Sequence, residues 1–179
     1  RRQRQMCIRD SMKDKIVAVP TMFVWKMTNI GEVETIGADV NISTRMDVSN
    51  QCAISFAGTY NFMQAEDITD KNSKVWRNQI IYTPKHSGSG NLSLETPWVI
   101  LTYNILFASE RYTLSQNLRD YRIKPYTDHS VSVSRRFKWK KHALRIQIDA
   151  LNLSNKNYEI VRFYPMPGRN YKLTINYNL

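Results

Sequence analysis

No run of about 18 apolar residues occurs in the chain, so no helix of it suits a bilayer crossing. Cysteine is nearly missing: Cys7 falls in a leading segment set aside below, so Cys52 stands alone, and neither a disulfide framework nor a paired-cysteine metal motif is expected. The three histidines, His86, His129 and His142, fall in different segments without a ligand-spaced partner, so neither a metal site nor another cofactor is expected. Ser, His and Asp form no nucleophile elbow, and nothing else points to an enzyme. Gly88-Ser89-Gly90 lacks the Lys-Ser/Thr and the helix of a phosphate loop. Those glycines read instead as in-strand flexibility or a close approach at a lumen. Helical periodicity is also lacking, which leaves an all-β chain.

What is present is alternation. At the end of the chain Tyr171, Leu173, Ile175, Tyr177 and Leu179 are large and apolar, and Lys172, Thr174, Asn176 and Asn178 between them are polar. That pattern specifies a strand with one oily and one wet face. Such a strand is either the edge of a soluble sandwich or the last stave of a barrel whose oily face meets lipid. The rest of the chain decides between the two.

The start is set aside first. Arg1 to Ser11 resemble the in-frame translation of a transposase sequencing adapter, so protein proper is expected from about Met12, and residues 12–179 form one unit. Setting aside Arg1, Arg2, Arg4, Arg9 and Asp10 lowers the net charge from +11 to +8. The remaining Lys and Arg are scattered along the sequence, which suits solvated loops and a barrel interior better than a nucleic-acid face.

Taken in order, residues 15–27 read as a strand with Pro20 awkwardly inside it, followed by a turn at 28–32. Residues 33–46 (Ile36, Ala38, Val40, Ile42) and 52–62 (Ile54, Phe56, Tyr60, Phe62) read as a hairpin. Further strands fall at 87–94, 98–107 (Leu101, Tyr103, Ile105, Phe107), 128–138 (Val131, Val133, Phe137) and 144–150 (Leu144, Ile146, Ile148). With the terminal strand this makes eight. Short turns near 47–50, 95–97 and 139–141 alternate with long polar connections near 64–83, 109–125 and 153–168. Outer-membrane barrels have that asymmetry, with short periplasmic turns and long external loops. Aromatics at strand ends (Trp25, Tyr60, Phe62, Trp98, Phe107, Trp139) suit girdles at the lipid–water boundary.

Ordered sequence pieces then carry a resemblance. Asn152 to Val161, Tyr164-Pro165-Met166-Pro167-Gly168-Arg169-Asn170-Tyr171 and the terminal strand resemble the end of TonB-dependent outer-membrane receptors, most closely those of Bacteroidota. Asp14 to Thr21, Asn29-Ile30-Gly31, Gly37 to Val40, Tyr82 to His86 and Glu110-Arg111-Tyr112 follow the same family's order. The resemblance implies an antiparallel transmembrane β-barrel of 22 strands, of which this chain holds about the last eight, with the amino-terminal plug absent. It implies outer-membrane import of a scarce nutrient such as siderophore-bound iron or cobalamin, driven by TonB and the proton gradient. Partners would be outer-membrane lipid, the upstream strands and plug of the same protein, TonB, the outer-membrane assembly machinery and the solute, with no nucleic acid among them. Lumen-facing Arg136, Arg145, Gln147, Asp149 and Lys172 become candidate contacts to plug or solute. The terminal strand resembles the signal read by the assembly machinery, and β-augmentation supplies a physical basis for that reading. Alternatives from other classes are a self-contained eight-stranded outer-membrane barrel, either an enzyme or an adhesive scaffold, and a soluble β-barrel binding single-stranded nucleic acid. Eight strands cut from a larger sheet are not expected to fold alone.

Overall fold

The computed structural model describes residues 2–20, 24–49, 51–139 and 142–178. Its elements in chain order are β1 (Arg2–Pro20), β2 (Trp25–Ser49), β3 (Cys52–Asp67), β4 (His86–Glu95), β5 (Ile100–Ala108), β6 (Arg111–Tyr112), a 3-10 turn (Arg119–Tyr121), β7 (Arg122–Ile123), β8 (Tyr126–Trp139), β9 (His142–Leu151), β10 (Glu159–Val161), β11 (Tyr164–Pro165) and β12 (Asn170–Asn178). Eight of them make one antiparallel sheet in the order β1-β2-β3-β4-β5-β8-β9-β12, and the two small hairpins sit inside the long connections.

The register turns the alternation of single strands into two continuous faces. Directly paired residues share a face of a sheet, and one row runs Met46, Ile54, Leu94, Leu101, Val133, Ile148, Leu173 across seven strands. The neighbouring row on the opposite face runs Arg45, Ser55, Ser93, Thr102, Ser132, Asp149, Lys172. A slip of one residue in any pair would set an apolar side chain among hydroxyls and charges, so the pattern holds the register. No second sheet covers the apolar face among the described residues: Leu92 is 47% exposed, Ile148 56% and Ile175 61%. A soluble protein rarely leaves a contiguous apolar face of this extent in water. Lipid is the solvent that suits it.

The described sheet is open. β1 and β12 are its two edges and do not pair with each other, whereas a self-contained eight-stranded barrel requires that pairing. All three long connections, residues 68–85, 109–125 and 152–169, leave one end of the sheet, hereafter the loop end. The short links, such as residues 96–99, lie at the turn end. There Thr96 closes the turn: its N–H and hydroxyl donate to the carbonyl of Val99 at 3.0 and 2.7 Å.

Two expectations for the first strands are corrected. Residues 28–32 are not a turn but part of β2, with Thr28 opposite Val17 and Glu32 opposite Lys13. The proposed strand at 15–27 divides at Pro20, where β1 ends; a proline has no N–H to continue the ladder. A third concerns Gly88 and Gly90, which do not line a lumen. They lie on the apolar face of β4, opposite Tyr60 and Ile105. A Cβ at Gly88 would lie 2.6 Å from both the Phe107 ring and the Thr59 carbonyl, so glycine is what lets that ring lie against the strand. Ser89 between them points the other way and shares a 2.8 Å hydrogen bond with Thr59.

A small core sits at the loop end. Val33 and Ala65, on the polar-face parity of β2 and β3, are buried with Ile80 and Ile81 of the first long loop, and Met63 and Tyr82 pack against them. That loop therefore folds inward over the polar face. Ile80 N–H donates to Ala65 O at 2.8 Å, and Glu66 bridges to Gln79.

Candidate functional site: the polar face and the loop end

Small hydroxyls and amides dominate the polar face and bond to one another across strands. Asn91 donates to Asn104 at 2.6 Å, Ser93 shares a 3.0 Å bond with Thr102, and Asn61 bonds Asp39. Towards the turn end, Arg45 reaches over β3 to hold Glu95 in a two-pronged pair at 2.8 and 2.7 Å. Fork-to-carboxylate geometry fixes orientation as well as charge. Nothing in the spacing of positions 45 and 95 announces this contact.

The five residues expected on the lumen side divide into two groups. Arg145, Gln147 and Asp149 form a ladder along β9, in which Arg145 donates to Gln147 at 3.1 Å and Gln147 to Asp149 at 2.7 Å. Lys172 stands opposite Asp149 in the register and Arg136 opposite Arg145, on the same face. Neither Lys172 nor Arg136 belongs to an ion pair among the described residues. In the terminal strand Tyr171, Leu173, Ile175 and Tyr177 share the apolar face, and Leu179 lies outside the described residues.

The apolar face carries aromatics at both ends. Phe62, His86, Tyr60 and Phe107 cluster near the loop end and Phe137, opposite Leu144, lies near the turn end, while Trp98 in the turn itself is 75% exposed. The side chains of Trp25 and Trp139 lie outside the described residues. Each histidine meets a tyrosine hydroxyl through Nδ1: His86 with Tyr60 at 2.8 Å, His129 with Tyr103 at 2.6 Å, and His142 with Tyr177 at 2.9 Å. In all three pairs the histidine sits one diagonal step from the tyrosine on the neighbouring strand. Stacking with a polar tip suits a residue at a lipid boundary.

The expected motif loop, Tyr164 to Arg169, is pinned by two asparagines. Tyr164 and Pro165 form β11 against β10. Pro167 O accepts from Asn152 Nδ2 at 3.1 Å, and Arg169 N–H donates to Asn155 Oδ1 at 2.9 Å. Asn152 and Asn155 both have positive φ, 49° and 50°, a conformation asparagine tolerates better than most residues. Their place in the Asn-Leu-Ser-Asn run was the sequence signal for it.

Sequence reasoning missed a second brace. Tyr126 of β8 stacks on Tyr158 at 4.4 Å and 8°, with the Arg111 guanidinium over the Tyr126 ring at 5.2 Å. Arg111 donates to Glu159 O at 2.9 Å, and Tyr158 donates its hydroxyl to Asp128 on the polar face at 2.8 Å. Burial, reinforced by that bond to a carboxylate, pushes the Tyr158 phenol well above the ordinary tyrosine range. Tyr82, partly buried under the loops, is likewise raised. Asn78 donates to Ser115 O at 2.8 Å and Arg162 to Thr113 at 3.3 Å, so the three long loops pack on one another. They lean over the polar face together, and Arg77, Tyr82, Asn117 and Phe163 within them hold positive φ. Strained backbone of this kind persists where its surroundings over-determine it.

An open antiparallel sheet with one lipid-suited face, one hydrogen-bonding face and a packed set of loops at one end has the form of a barrel wall. Solved structures with this wall are known. The ferric preacinetobactin receptor of Acinetobacter baumannii matches 97% of this chain with 26% of its own, at 17% identity and a TM-score of 0.69. A siderophore receptor of the same organism matches 97% with 25% of its own, at 16% identity and a TM-score of 0.71. A ferric citrate transporter in its unliganded form matches 83% with 25% of its own, at 16% identity and a TM-score of 0.68. The chain thus spans about a quarter of the length of these proteins. No curated protein sequence matches it. The family model for TonB dependent receptor-like β-barrels matches residues 9–153. At these identities the structures speak for the fold, and the family model speaks for descent: the chain belongs to the TonB-dependent receptor β-barrel family.

Proposed function

We propose that this chain is the carboxy-terminal wall of an outer-membrane active transporter that imports a scarce nutrient, such as siderophore-bound iron, cobalamin or a similar solute. The observation that carries this reading is the open eight-stranded sheet with an oily face, a polar face and all long loops at one end, in a chain of this family. About fourteen further strands would complete a 22-stranded barrel through the free edge of the sheet, and an amino-terminal plug would lie against the polar face. Import would run by movement of the plug, drawn by TonB at the expense of the proton gradient. No step calls for a catalytic group. The loop end would face the outside and the turn end the periplasm. Arg136, Arg145, Gln147, Asp149 and Lys172 would meet plug or solute, and Tyr171 to Leu179 would be read during assembly in the membrane.

Residues 1–11 belong to this proposal as a segment foreign to the barrel. What supports it is that the family model covers none of residues 1–8.

Long-read sequencing of the source DNA across the codon for Met12 tests the architecture, and solute uptake by cells making the full-length receptor, with and without a proton uncoupler, tests the activity. A frame running upstream through more strands and a plug, with uptake abolished by the uncoupler, is the expected result. A start codon and signal peptide immediately before Met12 would replace this reading with the small-barrel alternative.

A further inference from the structure

Arg135 is out of place. Of the described residues that β4, β5, β8, β9 and β12 set on the apolar face, it is the only Lys, Arg, Asp or Glu. It stands between Val133 and Phe137 on β8, opposite Ile146. Among the described residues it joins no ion pair and no side-chain hydrogen bond. A guanidinium in hydrocarbon is costly unless it reaches the membrane boundary and meets a counter-charge there. The first condition is met. The guanidinium lies over the Phe137 ring at 4.9 Å, two residues nearer the turn end, so the side chain runs along the strand toward that boundary. Trp98, exposed in the neighbouring turn, and the stacked His142 and Tyr177 rings mark the same end of the face.

The counter-charge does not come from the hairpin itself. From His129 to Ile148 the sequence holds six Lys and Arg and neither Asp nor Glu. Arg136 stands directly opposite Arg145 on the polar face, and neither of them nor Lys138 pairs with a carboxylate among the described residues. Like charges set opposite each other weaken a strand pair, and together they raise a positive potential around the turn. Resting on the reading of the apolar face as lipid-facing and of the turn end as periplasmic, we propose that Arg135 binds the phosphate of an anionic phospholipid in the inner leaflet. The guanidinium fork matches phosphate oxygens, and Val133 with Ile148 opposite it flanks the acyl chains. A zwitterionic headgroup offers the same phosphate but brings an ammonium into the positive field, so a lipid of net negative charge such as phosphatidylglycerol is favoured. One bound phosphate compensates one guanidinium. A second arginine introduced on this face keeps the cost of a charge in hydrocarbon.

The test uses the full-length receptor, its native cysteines replaced by serine, in phosphatidylcholine nanodiscs. A fluorophore is carried by Ile148→Cys, one diagonal step from Arg135, or by Leu92→Cys on the distant β4. The quencher is an acyl-chain spin label on either phosphatidylglycerol or phosphatidylcholine. At position 148 phosphatidylglycerol should associate at least about fivefold more strongly, the worth of one arginine at a charged lipid surface. At position 92 the two lipids should quench alike. Arg135→Gln should abolish the preference at position 148. That variant removes a charge from a lipid face and should fold, and the comparison of the two lipids on the unsubstituted Arg135 background needs no variant at all. Equal quenching by the two lipids at position 148 overturns the site and leaves the wall standing. A preference that survives Arg135→Gln, or one of the same size at position 92, overturns it too, because the other cations would then be gathering the lipid. If neither lipid quenches at position 148 while aqueous iodide does, the face is wet, and the wall reading fails together with the site.

Discussion

Placing an arginine on either face of the last strand separates a membrane wall from a soluble sheet. Ile175 lies on the apolar face of β12, opposite Ile146, and is 61% exposed; Thr174 beside it lies on the polar face, opposite Gln147. Both positions sit near the middle of the strand, so strand propensity and pairing are nearly matched between them. In a bilayer, Ile175→Arg puts a guanidinium into hydrocarbon at about 2–4 kcal/mol. That is roughly a 30- to 700-fold shift in the folding equilibrium. Thr174→Arg faces water or plug and should cost well under half as much. The assay is denaturant titration of the full-length receptor refolded into lipid vesicles, followed by the heat-modifiable shift on electrophoresis. If Thr174→Arg proves as damaging as Ile175→Arg, the assignment of faces is wrong.

Other outcomes follow from single contacts. Tyr158→Phe leaves Asp128 without a partner, since its Oδ1 already has none, and should lower stability of the loop end by about 1–3 kcal/mol in denaturant titration. The raised Tyr158 phenol keeps its proton in the folded state while the unfolded chain loses it near the ordinary tyrosine pKa, so stability should fall as pH rises above about 10. In Tyr158→Phe that part of the alkaline decline should vanish. Gly88→Ala must displace both the Phe107 ring and the Thr59 carbonyl, so its thermal transition should drop, and restoring space with Phe107→Ala should recover part of the loss. Tyr103→Phe removes the hydroxyl at His129 Nδ1 on the apolar face and should destabilise the receptor more than Tyr171→Phe, where Tyr171 is 72% exposed. Residues 12–179 expressed alone should give aggregates or non-cooperative material in detergent, because both sheet edges lack their neighbours; a sharp heat-modifiable monomer would contradict this.

The sheet was legible because each strand carries its own period-two pattern, which survives whatever the strand pairs with. Ile36 to Ile42, Leu101 to Phe107 and Tyr171 to Tyr177 needed no long-range information. Residues 28–32 misled because Thr28, Asn29 and Gly31 are turn formers by local chemistry, while their pairing with β1 is a long-range fact. The glycines of β4 misled similarly: their use depends on Phe107, on another strand. At the loop end, Arg111, Tyr126, Tyr158 and Asp128 meet only once the second and third long loops have folded against β8, and no spacing in the sequence foretells it.

The most direct measurement is a spin-label scan along β12 of the full-length receptor in lipid bilayers. Single cysteines replace Leu173, Thr174, Ile175 and Asn176 in a background from which Cys52 and every other cysteine of the receptor have been replaced by serine. Labels at Leu173 and Ile175 should collide with oxygen dissolved in the hydrocarbon and resist a water-soluble nickel chelate. Labels at Thr174 and Asn176 should show lower oxygen accessibility, with a clean period of two. Equal chelate accessibility at all four positions, or a label at Ile175 that behaves as if in water, would contradict a lipid-facing wall.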